Sequence, residues 1–262
     1  PVYNGEKFIE YAINSILNQT YKNFELIIID GDSSDRTVEI INKYLIHISY
    51  FVSEKDKGMY NAINKGLMKA NGDIICWLNS DDYYFPNTLD IVANTFNNHD
   101  EIQWLTGRKV IINENNSIIK IGVFKNFISS FIRDGYYRSD LFGTITQETT
   151  FWRKELLTKV GYLNEDLKVA SDYQLWTRFA EHTELYSINS LLGAFRIHKG
   201  QLSEDKYKYY EECDKVKKIR FKKIKRLLGI FIYFYSMISN KNKLLINSEN
   251  NIIKNKNDFV FE

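Results

Sequence analysis

An α/β fold is the class the sequence predicts, on three observations. Short branched apolar runs alternate with helical patterns over the first hundred residues, each run ends in acids, and the composition supports a sizeable core. Ile9, Ala12, Ile13, Ile16 and Leu17 fall at helical spacing behind the turn-forming "YNGE" of residues 3–6, which predicts a first helix. "FELIII" at 24–29 is a short apolar run rich in branched side chains and predicts a strand. Asp35 opens a second helix, "DRTVEIINKYL", and "IHISYFV" at 46–52 reads as the next strand. Ala62, Ile63, Gly66, Leu67 and Ala70 mark a third helix, and "DIICWL" at 73–78 a third strand. This βαβ rhythm predicts parallel pairing. The pattern opens on a helix, so the missing element is a strand before it, and Pro1 reads as a truncated start.

At 262 residues, with 44% hydrophobic and 15% aromatic residues, the chain is long enough for one large core, or one core with a small appendage. The net charge of +2 conceals an asymmetry. "KVKKIRFKKIKR" at 215–226 holds eight Lys or Arg and no acid, so the remainder is net negative. Cys76 in an apolar strand and Cys213 in a charged stretch provide neither a disulfide framework nor a cysteine metal site, which fits an intracellular setting. "PVYNGEKF" has no charged-then-apolar leader pattern.

The positions of the acids carry more than their number. Asp30 and Asp32 follow the first strand, Glu54 and Asp56 the second, and Asp81 and Asp82, within "CWLNSDDYYFPNTL", the third. Asn-Ser-Asp-Asp ahead of Pro86 is also turn and capping chemistry. In an open α/β sheet, however, carboxyl strand ends converge on one crevice, so three acidic ends predict a shared polar pocket. Adjacent carboxylates repel unless a cation or donor-rich ligand offsets them; a hard divalent cation accompanied by phosphates fits that pocket. Neither a Gly-x-Gly-x-x-Gly turn nor a Gly-Lys-Ser/Thr loop occurs.

The runs "PVYNGEKFIEYAINSILNQTYKNFELIIIDGDSSDRT" and "SEKDKGMYNAINKGLMKANGDIICWLNSDD" resemble the amino-terminal half of family 2 glycosyltransferases, and "TQETTFWRKELLTKVGYLNEDLKVASDYQLWTRFA" and "FRIHKGQLS" extend the likeness to about residue 203. The resemblance implies a GT-A nucleotide-sugar-binding fold, a mixed sheet flanked by helices. Its nucleotide-sugar half would cover about 1–100, its acceptor half about 101–203, and a helical extension 204–262. By similarity Pro1, Tyr3 and Asn4 line the nucleotide pocket with Asp30, which faces the base. Asp32 lies beside it, after Gly31, where the family often has a second Asp. Asp56 contacts the nucleotide, and Asn64 and Lys65 face the phosphates. In "SDD", Asp81 faces ribose and Asp82 holds Mg²⁺ or Mn²⁺ against the diphosphate. His198 is implied as a further metal ligand or phosphate donor. Gln147, with Glu148, lies where relatives often read His-Gln, near donor sugar and acceptor.

Asp172, preceded by Ser171 where many relatives carry an acid, corresponds to the family's general base. It would deprotonate an acceptor hydroxyl for a single inverting displacement. No Gln-x-x-Arg-Trp follows it, as in relatives that add one sugar rather than polymerise. The partners implied are a nucleotide-diphospho-sugar, UDP-linked by expectation, and a saccharide or lipid-linked acceptor of bacterial surface polysaccharide or lipopolysaccharide assembly; nucleic acid is not among them. Phe221, Ile224, Leu228, Phe231 and Tyr235 recur at spacings of three and four beside the basic run. Residues 215–238 are therefore expected either to form an interfacial helix on an anionic membrane or to pack on the core, and the expected location is cytoplasmic, peripheral on the inner membrane face. "LLGIFIYFYSMI" is too short to span a bilayer, and the polar stretch after it is expected to be loosely ordered. Two rivals remain. "IIIDGDSSD" approximates the strand end of haloacid-dehalogenase-type phosphatases, with Asp30 as nucleophile and Asp32 as acid/base, Ser34 standing where Thr is usual. A non-catalytic nucleotide-sugar-binding module is the other.

Overall fold

The computed structural model describes residues 1–219 and the backbone of Lys243–Leu244. The first half follows the expected alternation: α1 (Ile9–Leu17), β1 (Ile27–Asp30), α2 (Thr37–Asn42), β2 (Tyr50–Ser53), α3 (Met59–Lys69), β3 (Ile74–Ile75), β4 (Tyr83–Tyr84) and α4 (Thr88–Asn98). The second half comprises β5 (Trp104–Ile112), β6 (Ile118–Ile121), α5 (Ser129–Arg133), β7 (Thr150–Arg153), α6 (Lys154–Val160), α7 (Ser171–Phe179), β8 (Tyr186–Arg196) and α8 (Lys206–Val216), with β9 at Lys243–Leu244.

β1 and β2 pair in parallel, Ile27 opposite Tyr50 through Asp30 opposite Ser53. Val2 adds a single parallel bridge to Asp30, at the position expected for the first strand. The remaining strands form a mixed sheet in the order β3-β7-β5-β8-β4, with β6 on β5 and β9 on β8. Parallel pairing therefore extends only part of the way. The run 73–78 was expected to be a parallel strand; only Ile74–Ile75 is strand, and it lies antiparallel to β7. Apolar periodicity identifies a strand but not its partner. The run also ends early because Trp77 turns into the core, edge-on to Trp152 (ring centroids 5.4 Å apart) and stacked on Trp176 (5.9 Å).

Two apolar layers fix the elements around these sheets. Val2, Ile9, Ile13, Leu26, Ile28, Ile40 and Ile41 pack α1 and α2 against β1. A larger cluster built on Trp77, Trp104, Trp152, Trp176 and Phe179 joins α3, β5, β7, α6 and α7. α8 belongs structurally to the second half: Cys213 is buried against Ala170 and Tyr173 of the α7 region. Of the segment 215–238, only the first residues fall within the described part of the chain, where Ile219 is buried. No helix among the described residues is long and apolar enough to cross a membrane.

Candidate active site

The first wall of the site is a pair of loops tied together by side-chain oxygens. The Asn4 N–H donates to Ser33 Oγ (2.7 Å) and Asn4 Oδ1 accepts from the Ser34 N–H (2.9 Å), while the Gly5 N–H donates to Thr37 Oγ1 (2.8 Å). Asp35 accepts from the backbone of both Glu6 and Thr37, so the expected helix-starting acid also locks residues 4–6 beside the turn. Asp30 is fully buried at the end of β1. Its carboxylate accepts the Ser33 N–H (3.0 Å), the Ser33 hydroxyl (2.5 Å) and the Ser53 hydroxyl (2.6 Å). A carboxylate so committed shapes the turn and is a poor nucleophile, which removes the phosphatase reading of Asp30. Asp32 is exposed, with positive φ of 69°, and Pro1 and Tyr3 flank the bridging Val2, Tyr3 with its ring largely in solvent.

The second strand end reaches the first through a glycine. A Cβ at Gly31 would stand 2.7 Å from Asp56 Oδ2, so the absent side chain is the space the Asp56 carboxylate occupies. Asp56 Oδ1 is held by the Gly58 N–H (2.7 Å). The two α3 residues divide. Lys65 pairs with the half-exposed Glu54 (2.7 Å). Asn64 is buried, and its amide donates to the Leu163 carbonyl and to Glu165 and accepts from the Leu163 N–H. It clamps α3 to the segment before α7, both amide protons being donated there.

At the third strand end the two aspartates part. Asp82 is buried; its Oδ1 accepts the Arg196 N–H (2.9 Å), and its Oδ2 has a 3.4 Å contact from the Asn79 amide. Burial, reinforced by Asp81 and Glu148, pushes its carboxyl well above the ordinary range. Asp81 is more open and meets His198, Oδ2 to Nε2 at 2.9 Å. Arg196 holds this corner, its Nε donating to the Asp81 carbonyl (2.6 Å), its Nη1 to Asn116 (2.6 Å), and its guanidinium 4.6 Å above the Phe8 ring. Among the described residues no group of three or more His, Cys, Asp or Glu side chains is gathered to hold a metal ion.

The floor comes from the turn before β7. Gln147 donates to the Trp77 carbonyl and accepts from Asn79 (3.1 Å), bracing the loop that carries Asp81 and Asp82. Glu148 is buried, with Oε1 unpartnered among the described residues. Burial raises its carboxyl; Lys109 opposes the shift, while Asp172 and Asp81 add to it. Glu148 thus lies within electrostatic reach of both the donor-side and acceptor-side aspartates. Gly193 of β8 lies against it: a Cβ there would be 2.2 Å from the Glu148 carbonyl oxygen.

Asp172 stands in the first turn of α7. Ser171 fixes that turn, its N–H donating to Tyr60 Oη (3.1 Å) and its Oγ accepting from the Asn164 N–H (2.7 Å). Asp172 Oδ1 is buried without a hydrogen-bond partner among the described residues. Burial pushes the carboxyl up to about 6, with Glu212 adding to the shift and backbone N–H groups of the helix start opposing it. Glu148 was expected in this region beside Gln147, whereas Arg196 and Glu212 were not among the expected site residues. Arg196 was legible as the cation two positions before His198; Glu212 had no sequence signal, because its partners are backbone N–H groups.

A profile described as Glycosyl transferase family 2 matches residues 1–161. An uncharacterized glycosyltransferase of Rickettsia typhi is 30% identical, the match covering 82% of this chain and 67% of that protein. The Escherichia coli UDP-Glc:alpha-D-GlcNAc-diphosphoundecaprenol beta-1,3-glucosyltransferase WfgD is 29% identical, covering 79% of each. Other relatives are much longer: the chain spans 36% of a Rickettsia conorii glycosyltransferase. Among solved structures, S. aureus TarS 1–349 in complex with UDP-GlcNAc superposes with a TM-score of 0.67 at 22% identity, over 82% of this chain and 63% of that one. The mannosyltransferase PcManGT of Pyrobaculum calidifontis, in complex with GDP-Man and Mn²⁺, gives 0.59 at 17%, over 79% and 58%. These likenesses show the GT-A fold, and the profile together with the curated relatives shows that the chain belongs to glycosyl transferase family 2.

Proposed function

We propose that this chain transfers one sugar, with inversion, from a UDP-linked sugar to a hydroxyl of a saccharide or lipid-linked acceptor in surface polysaccharide assembly at the cytoplasmic membrane face. The observation that carries the reading is the unpartnered, buried Oδ1 of Asp172, a proton acceptor held at a helix start beside the Glu148 floor. The acceptor hydroxyl gives its proton to Asp172, its oxygen bonds to the anomeric carbon, and the bond from that carbon to the diphosphate oxygen breaks on the opposite face, its electron pair leaving with the nucleoside diphosphate. Asp30, Asp56 and Asn4 would shape the nucleotide pocket. UDP as carrier and a lipid-linked acceptor are supported by the activity in the name of WfgD and by the UDP-GlcNAc complex of TarS.

The donor set fits Mg²⁺ or Mn²⁺. A carboxylate and an imidazole meet at 2.9 Å, and the carboxyl of Asp82 beside them is raised by burial first and then by the neighbouring charges of Asp81 and Glu148. Such ions take one or two carboxylates and complete their shell with substrate phosphates and water. Asp81, Asp82 and His198 would hold the ion, which when bound offsets charge on the leaving diphosphate. The test is a thermal-shift screen of UDP-, GDP- and dTDP-sugars with and without Mn²⁺, then the anomeric configuration of the product by NMR. A UDP-sugar should raise the melting temperature most, with Mn²⁺. No shift with any nucleotide, or a product that retains configuration, would overturn the reading.

A further inference from the structure

The turn that carries Glu148 is locked on both sides of that residue. Gln147 before it donates to the Trp77 carbonyl and accepts from the Asn79 amide. Thr149 after it shares its hydroxyl with those of Thr146 (2.8 Å) and Thr106 (3.0 Å). Gly193 leaves room for the Glu148 carbonyl, since a Cβ there would stand 2.2 Å from that oxygen. The side chain keeps unused capacity: Glu148 is 3% exposed, and its Oε1 is buried without a hydrogen-bond partner among the described residues. An unpaired buried acceptor costs stability, so one presented by an over-determined backbone has the form of a pre-organised ligand contact. Asn79 Oδ1 is likewise buried and unpartnered among the described residues.

Contacts place this turn between the groups that flank the reacting bond. Asn79, bonded to Gln147, also lies 3.4 Å from Asp82 Oδ2. Trp77, bonded to Gln147 through its carbonyl, stacks on Trp176 (5.9 Å), one turn along α7 from Asp172. For a donor whose diphosphate lies at Asp81 and His198 and whose anomeric carbon meets a hydroxyl held on Asp172, the sugar ring passes over the turn. We propose that Glu148 is a specificity-determining residue for the transferred sugar: it accepts a hydrogen bond from a ring hydroxyl, with Asn79 Oδ1 taking a second, and selects a fully hydroxylated or N-acetylated hexose over a deoxy-sugar. The inference rests on the transferase reading above and names the donor-sugar class for that same site. A site built to bond a hydroxyl rejects the analogue lacking it, because its own acceptor is then buried unpaired. Burial raises the Glu148 carboxyl and the Lys109 charge opposes that shift, which favours the ionised form, an acceptor only.

The test is calorimetric titration of the full chain with Mn²⁺ present, first with UDP, then with UDP-glucose, UDP-galactose and UDP-N-acetylglucosamine, and for the tightest of these with its 3-, 4- and 6-deoxy analogues. At least one deoxy analogue should bind the parent about tenfold or more weaker than its hydroxylated counterpart. E148M, which keeps the side-chain volume and removes the acceptors, should bind the two alike. Its UDP affinity should be kept and its melting temperature should be no lower than the parent's, since an unpaired buried acid is lost. If E148M does not fold, E148Q, which keeps one acceptor oxygen, should show a reduced preference, and the parent's full preference in E148Q would then reject the assignment. Undiminished preference in folded E148M, or deoxy analogues that bind the parent as tightly as the hexose, would overturn it. Loss of UDP affinity in step with hexose affinity would assign Glu148 to the nucleotide instead. UDP binding by the parent with no gain from any sugar would reject the sugar contact alone, whereas a parent that binds no UDP would reject the transferase reading and the contact with it.

Discussion

Glu212 on α8 holds the segment that presents Asp172. Its carboxylate accepts the backbone N–H groups of Lys168, Val169 and Ala170 at 2.9–3.1 Å, and its charge contributes to the raised carboxyl of Asp172. α8 therefore acts as a brace for the second half of the fold. Replacing Glu212 by Ala leaves three N–H groups without their acceptor, which should cost about 1–3 kcal/mol of stability. Donor affinity should be unchanged while turnover falls. A merely structural brace predicts nothing further; a positioning residue also shifts the pH profile. Without the negative charge of Glu212, the Asp172 carboxyl moves down and the acid limb of kcat/KM moves to lower pH. An unmoved limb in the folded variant would confine Glu212 to stability.

Asp172 itself has two separable consequences. Asp172→Asn removes the proton acceptor, and transfer should fall by about 10²–10⁴-fold with UDP-sugar binding kept. In the parent, kcat/KM should fall as pH drops through about 6, where the carboxyl becomes protonated. The stability effect has the opposite sense. The folded state holds this proton more tightly than the unfolded chain, so ionisation costs the native state stability as pH rises from about 4 to about 6. Asp172→Asn should accordingly raise the melting temperature at pH 7.5 and leave it nearly unchanged at pH 4, which thermal unfolding at the two pH values checks.

Local pattern made the first half of this architecture legible. Branched apolar runs marked β1, β2 and β3, helical spacing marked α1 and α3, and the acids at strand ends marked the crevice. Pairing was less legible, since the antiparallel β3–β7 pair joins segments far apart in the sequence, beside an aromatic core assembled from Trp77, Trp152 and Trp176. Within the site, Asp81, His198 and Asp172 were each expected with a distinct job, but the contacts that hold them were not legible. Asn64 has the composition of a ligand-binding amide and the location of a clamp, its capacity consumed by Leu163 and Glu165. Glu148 and Glu212 are distinguished by burial and by backbone partners, which sequence spacing does not encode.

His198 offers a direct test of the metal assignment. Its Nε2 meets Asp81 Oδ2, and its ring packs 4.9 Å from Phe8, so removing the ring takes away one donor and little of the core. His198→Ala should weaken Mn²⁺-dependent UDP-sugar binding by about tenfold or more, the scale seen when a metal site loses a supporting group. Its affinity for UDP-sugar in the presence of chelator should match the parent's. Equal Mn²⁺ dependence in parent and variant, measured by titration calorimetry, would remove His198 from the ion site.

Gly31 is the position at which this chain departs from the doubled aspartate of the resembling pattern, and the geometry gives the departure a reason. The Asp56 carboxylate fills the space a side chain would need, with Oδ2 at 2.7 Å from a Cβ built there, and Asp56 is anchored through Oδ1 to the Gly58 N–H. Gly31→Ala must displace that carboxylate, and Gly31→Asp would also set a second negative charge against it. If Asp56 reaches into the nucleotide pocket, both variants should weaken UDP binding, Asp more than Ala and by roughly tenfold or more (~1.4 kcal/mol). Turnover at saturating donor should change little, because Asp172 lies on the other half. Calorimetric titration with UDP checks the ranking; parental affinity in Gly31→Asp would place Asp56 outside the pocket.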